Sequence, residues 1–332
     1  MRKVNLLFWL CAVGSAFILS GCVNGQSGIP PTRDYSHIVV LSDVHLPGHL
    51  LPQKEQAIAT LNSWPDIDLV AVTGDIVATG GDKSEYASAR AFFEKLNKPK
   101  AFIGGNHDYI YPDSYPINKE TGHHVKEASP DARRLKLERF KQAWALEEVF
   151  YSKQAGNYLL VFLTADHLSS NNYSEMSDRP LDWLAAELQR NRSKPTLIFF
   201  HAPLQGTYAS QRILKSKSPD SYNAEPADRI RKIVLQNPQV FMWVAGHLHI
   251  APSNKDFSSG LNLYENQLTV IHNPDMNGSS LFSDTDMKST KHDGIWTNSL
   301  FLHSDRVVVR TYDHKNGVWM NDLERVILSP RS

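Results

Sequence analysis

From His37 to Ala245, short apolar runs rich in β-branched residues alternate with windows whose apolar positions recur at helical spacing. Strands separated by helices in this way point to an α/β sandwich. The runs His37–Leu41, Leu69–Thr73, Ala101–Ile103, Tyr158–Thr164, Thr196–Phe200 and Val240–Ala245 predict strands. Between them, Glu85–Asn97, Asp131–Trp144, Leu181–Asn191 and Ala227–Gln236 predict helices. Ser129-Pro130 reads as a cap followed by proline at the first helical position, and Pro180 opens the next helix in the same way. Beyond Leu261 the pattern turns to strands at Gln267–Ile271, Ser299–His303 and Arg306–Tyr312, with Lys315-Asn316-Gly317 as a hairpin signal. Tyr109–Ser129 has no period and carries prolines and charges, so it reads as a long loop, a type of segment that often serves function.

The N-terminus departs from this pattern. Arg2 and Lys3 precede an almost wholly apolar run, Leu6–Leu19, shorter than the ~20 residues of a spanning helix. Residues 1–21 therefore read as an export leader. Leu19-Ser20-Gly21-Cys22 resembles the lipobox of bacterial lipoproteins, which implies a lipidated Cys22 and a membrane-anchored protein on the outer side of a cell membrane. An ordinary cleaved signal peptide and an uncleaved anchor are the alternatives, and both still export the chain. Residues 22–36, with Gly25, Gly28, Pro30 and Pro31, read as a flexible tether. That leaves 37–332 as one catalytic domain, for which 41% hydrophobic content is ample. The other cysteine, Cys11, lies in the leader, so the exported chain has no disulfide pair to form and relies on packing and metal.

Lys plus Arg equals Asp plus Glu at 35 each, so bulk charge gives no reason to expect nucleic acid as a partner. Local chemistry is more informative. Five times, a strand ends and residues of metal-ligand type follow. The segments are Leu41-Ser42-Asp43-Val44-His45, Thr73-Gly74-Asp75, Gly104-Gly105-Asn106-His107-Asp108, Phe200-His201-Ala202-Pro203 and Ala245-Gly246-His247-Leu248-His249. In a sheet with parallel strands such ends share one edge, where α/β folds place their ligands. Imidazole and carboxylate donors without a thiolate suit borderline divalent ions such as Mn, Fe or Zn. Gly104-Gly105 and Gly246 permit turns and a close approach of backbone to metal or phosphate.

The ordered set D-x-H, G-D, G-N-H-D, H, G-H-x-H is similar to that of the calcineurin-like metallophosphoesterases, from about His37 to at least His249. The resemblance implies a four-layer α/β/β/α sandwich with two mixed β-sheets and a metal site at the C-terminal ends of strands. It implies that Asp43, His45 and His249 hold one ion, that Asn106, His201 and His247 hold a second, and that Asp75 bridges both. His107 would sit above the metals to bind phosphate or protonate the leaving oxygen, with Asp108 accepting its other ring N–H. The implied activity is hydrolysis of a small phosphate ester. Two ions ~3.5–4 Å apart clamp the entering and leaving oxygens and acidify a bridging water, which becomes the nucleophile. A pattern around Pro180–Pro203 resembling the cyclic-nucleotide phosphodiesterase branch favours diesters slightly over monoesters.

Rival readings use the same residues differently. A cell-envelope binding protein could keep the scaffold to sequester metal or recognise a phosphate-bearing ligand, but it has no need of His107. A purely structural envelope protein would purify without metal. Gly74–Ser84 is no phosphate-binding Walker loop, since Asp82 rather than glycine precedes Lys83. His123, His124 and His167 read as solvated, and the histidines at 37, 49, 272, 292, 303 and 314 as surface or strand residues, leaving native metal and oligomeric state open.

Overall fold

A computed structural model describes residues 33–113 and 127–330; the leader, Cys22, His123 and His124 lie outside the described residues. In chain order the first strands are β1 (Tyr35–Leu41), β2 (Ile67–Thr73), β3 (Lys100–Ile103), β4 (Phe150–Ala155) and β5 (Tyr158–Leu163). Then come β6 (Thr196–Phe199), β7 (Val240–Ala245), β8 (Leu263–Tyr264), β9 (Leu268–His272), β10 (Ser279–Ser280) and β11 (Thr290–Lys291). The last are β12 (Trp296–His303), β13 (Arg306–Asp313), β14 (Val318–Trp319) and β15 (Arg325–Leu328). The helices are α1 (Leu51–Ser63), α2 (Lys83–Glu94), α3 (Asn106–Tyr109), α4 (Pro130–Trp144), α5 (Asp178–Arg190), α6 (Gln211–Leu214) and α7 (Ala227–Leu235).

Two large mixed sheets result. One has the order β14-β13-β12-β1-β2-β3, with β15 also on β13, and the other β4-β5-β6-β7-β9-β8. Strands β1 to β3 are parallel, as are β5, β6, β7 and β9. Alternate side chains explain the layering. Ile38 and Val40 join Leu160, Phe162, Leu197, Phe199 and Met242 in a core made wholly of strand residues from both sheets. Their neighbours Val39 and Leu41 join Ala57, Ile58 and Leu61 of α1 in a second core, which also holds Leu184 of α5 and Ile230 of α7. Both faces of the parallel strands are thus buried, so these strands read as continuous apolar runs. Each buried Val, Leu or Ile contributes ~1.5–3 kcal/mol, and a slip of one residue would exchange the faces, which fixes the register. The four-layer α/β/β/α arrangement is the one the sequence implies.

Differences from the sequence reading have local causes. β1 starts at Tyr35, where Tyr35 pairs with His303 and Ser36 with Leu302, so these two residues of the stretch read as a tether belong to the sheet, while 22–32 lie outside the described residues. Ser129 caps α4 and accepts from the Ala132 N–H, with Pro130 at the first position as expected. α5 begins at Asp178, which makes Pro180 its third residue rather than its first; the whole first turn lacks N–H partners, so proline fits there too. α1 escaped the sequence reading because its buried stripe is sparse and includes Lys54. β4 escaped because it pairs only with β5 and exposes Lys153 and Gln154. Lys315-Asn316-Gly317 does turn the chain between β13 and β14. Among the described residues no helix is long and apolar enough to cross a membrane.

Candidate metal centre

Five strand ends meet at one edge. β1 leads to Asp43 and His45, β2 to Asp75, β3 to α3 with Asn106 and His107, β6 to His201, and β7 to His247 and His249. The first two loops are laced together: the N–H of Asp43 donates to Gly74 O at 3.1 Å, that of His45 to Asp75 O at 2.9 Å and that of Leu46 to Ile76 O at 2.7 Å. Asp43, His45, Asp75, His247 and His249 all have positive φ, between 48° and 68°. Left-handed backbone costs a non-glycine residue ~1–2 kcal/mol, and it persists where surroundings over-determine it, typically at functional sites. Glycines make room between the strand ends. A Cβ on Gly105 would stand 2.3 Å from Asp75 Oδ1, and one on Gly246 would stand 2.3 Å from Asp43 Oδ2. The close approach made at these glycines is therefore to the carboxylates of Asp75 and Asp43.

Donor atoms of Asp43, His45, Asp75 and His249 lie within 4.8 Å of one another, and those of Asp75, His201 and His247 do the same. Asp75 belongs to both groups. Its Oδ2 is 3.7 Å from His45 Nε2 and its Oδ1 is 3.3 Å from His201 Nε2. Asp43 Oδ1 is 3.2 Å from His249 Nε2, while Asn106 Oδ1 adds a neutral oxygen 3.2 Å from His201 Nε2.

Backbone carbonyls orient the rings. His201 Nδ1 donates to Thr73 O at 2.8 Å, His249 Nδ1 to Ser279 O at 2.9 Å and His247 Nε2 to Ser221 O at 3.1 Å. Each bond fixes the tautomer and leaves the other nitrogen's lone pair free for the centre. His45 Nε2 and His249 Nε2 face each other at 3.4 Å. Lone pairs converging with two buried carboxylates, and with no sulfur, fit a pair of borderline divalent cations.

The buried carboxylates favour a proton on two of the four rings and not on the others. Burial opposes charge on His201 and His249, but Asp75 and Asp43 outweigh it and raise them to about 9 and about 10. Burial, reinforced by a neighbouring imidazole, lowers His45 to about 3 and His247 to about 4. Burial works to raise Asp43 and Asp75, yet the adjacent imidazoles hold both below the usual carboxylate range.

His107 sits at the mouth with its Nε2 4.0 Å from Asp75 Oδ2. Its Nδ1 donates to Ala78 O at 2.8 Å, not to Asp108 as the family resemblance suggested. The Asp108 carboxylate instead accepts from the N–H groups of Gly105, Ile76 and Val77 at 2.7, 3.2 and 3.4 Å. Burial, with Asp75 nearby, raises Asp108 to about 7. It ties α3 to the loop after β2 and so positions rather than reacts. His167 faces Glu175 at 3.9 Å, outside the cleft. Among the remaining histidines, His37, His272 and His314 are buried, and His49 lines the cleft.

The centre opens into a cleft of about 370 Å³, whose other walls include Tyr111, Tyr173, Tyr222, Arg212 and Lys291. Asp275, fully buried, was not foreseen. Its Oδ2 accepts from Asn277 N at 2.9 Å and Ser279 N at 3.1 Å, holding the residue whose carbonyl orients His249. The signal was present: β9 ends at His272 and Asn273-Pro274-Asp275 come next, another strand followed by ligand-type residues.

A family model for calcineurin-like phosphoesterases matches residues 36–251. The chain belongs to this family. The family and the geometry together give a candidate dimetal site at Asp43, His45, Asp75 and His249. A 3',5'-cyclic-nucleotide phosphodiesterase of Nostoc is 23% identical over 223 residues, covering 64% of this chain and 71% of that protein. The uncharacterized protein YvnB of Bacillus subtilis is 23% identical over 239 residues, which are 70% of this chain but only 17% of YvnB. A dimetal phosphatase from Danio rerio has a similar fold, with a TM-score of 0.55 at 13% identity over 89% of this chain and 99% of that one. A purple acid phosphatase from yellow lupin gives a TM-score of 0.57 at 15% identity over 89% of this chain and 54% of that one.

Proposed function

We propose that this calcineurin-like phosphoesterase hydrolyses phosphodiesters outside the cytoplasm, held to a membrane by lipid on Cys22. The observation that carries the reading is the carboxylate shared by two donor groups, with the His107 ring at the cleft mouth 4.0 Å from it. Asp43, His45 and His249 would hold one divalent ion, Asn106, His201 and His247 the other, and Asp75 both. Such a pair supplies Lewis acidity and neutralises charge on the phosphoryl group. The chain's own residues do the rest. The bond from His107 Nδ1 to Ala78 O leaves Nε2 to face substrate, where the ring, once protonated, can give its proton to the departing alcohol. Tyr111, Tyr173 and Tyr222 wall the cleft, and their rings offer apolar surface on which the rest of the ester can pack.

Diesters are favoured by the similarity to the Nostoc protein, named as a cyclic-nucleotide phosphodiesterase. The detergent-solubilised full chain, loaded with manganese, should hydrolyse bis-p-nitrophenyl phosphate faster than p-nitrophenyl phosphate. Two bound ions with no turnover of either would leave a binding protein on the same scaffold. A Cys22→Ser variant should move from the detergent phase to the aqueous phase; unchanged partitioning would remove the lipid anchor.

A further inference from the structure

Two cations in the cleft have no role in holding metal. Arg212, on α6, donates from Nη1 to Ser289 Oγ at 2.6 Å, and that hydroxyl is its side chain's sole polar partner among the described residues. A guanidinium has five N–H donors, so most of this one remains available. The Ser289 bond, and the Gln211 N–H bond to Asp284 O at 2.7 Å, hold α6 against the segment leading to β11. Lys291 lies on β11 directly opposite Ser279, the residue whose carbonyl orients His249. Both cations line the same cleft as the metal-ligand histidines. Acids nearby are engaged elsewhere, Asp284 with Lys255 at 2.6 Å and Asp286 with the N–H groups of Phe282 and Ser283. Two cations that no carboxylate pairs among the described residues, one of them held by Ser289, are placed beside the centre for another anion.

We propose that Arg212, Lys291 and the Ser289 hydroxyl form a second anion subsite, so that the preferred ester carries a phosphoryl group in addition to the one cleaved. This rests on reading the cleft as a phosphoesterase site. Such a group would be fixed by the guanidinium's paired donors and by the lysine's point charge, which orients the scissile ester over the centre.

The test uses thymidine 5′-(p-nitrophenyl phosphate) with either a free 3′-hydroxyl or a 3′-phosphate, on the manganese-loaded full chain. The 3′-phosphate should raise kcat/KM about tenfold or more, mainly through KM. In Arg212→Ala/Lys291→Ala that ratio should fall towards one, while Lys288→Ala, outside the cleft, should keep it. Because the ratio is measured within one preparation, partial misfolding cancels. Calorimetry with thymidine 3′,5′-bisphosphate and thymidine 5′-monophosphate gives a readout without turnover, with the bisphosphate about tenfold tighter in wild type alone. Equal binding of the two nucleotides by wild type, or a preference that survives the double substitution, would overturn the subsite. A binding preference without hydrolysis of either ester would keep the subsite and overturn the phosphoesterase reading.

Discussion

The two sides of the centre are built differently. Asp43 and Asp75, from β1 and β2, are almost fully buried and are gripped by backbone: His247 N–H donates to Asp43 Oδ2 at 3.0 Å and His107 N–H to Asp75 Oδ1 at 2.9 Å. His247 and His249, which follow β7, are less buried and are aimed by carbonyls of Ser221, on a single 3₁₀ turn, and of Ser279, on the two-residue strand β10, short elements that also contribute to the cleft wall. The carboxylate side is part of the core, whereas the rings of His247 and His249 inherit their geometry from short elements at the cleft wall. Charge is therefore fixed by the fold, while ring orientation, and with it metal affinity, is open to adjustment by the walls that meet substrate.

Breaking the shared carboxylate should do most. Asp75→Asn should lose both ions and lower turnover about ten-thousandfold or more; metal analysis beside the rate checks this, and one retained ion would mean that Asp75 does not bridge. Next, His107→Ala should lower kcat about a thousandfold while both ions stay. Unchanged turnover would remove the role given to the ring. Smaller again, Asp275→Asn should loosen Ser279 and His249 and weaken metal affinity about 10- to 100-fold. Equilibrium dialysis measures it, and an effect confined to the Asp75–His201–His247 group would contradict the assignment.

The mildest test is pH. In the metal-free protein His201 and His249 hold protons up to about 9 and about 10, raised by Asp75 and Asp43 against burial. A cation must displace those protons, so apparent affinity should rise with pH up to that range, about tenfold per pH unit for each proton released. Calorimetry at pH 7 in buffers of different ionisation enthalpy should show close to two protons released per chain loaded. Release of none would mean the rings are already bare.

Much of the centre was legible because its chemistry sits at strand ends, and strands buried on both faces announce themselves as apolar runs. Each of the seven candidate ligands from Asp43 to His249 follows a strand in this way. What escaped was set by tertiary context. The family resemblance made Asp108 the partner of the His107 ring, but α3 turns its carboxylate towards the N–H groups of Gly105 and Ile76. The left-handed backbone at Asp43, His45, Asp75, His247 and His249 has no composition signal, since none of these is glycine. Arg212 and Lys291 are ordinary surface cations until folding brings α6 and β11 to one cleft.

Electron paramagnetic resonance of the protein loaded with manganese tests the shared carboxylate most directly. Two ions per chain with a spin-coupled signal in the wild type, lost together with the metal in Asp75→Asn, is the expected result. Two uncoupled ions in the wild type, or a single ion per chain, would contradict a centre bridged by Asp75.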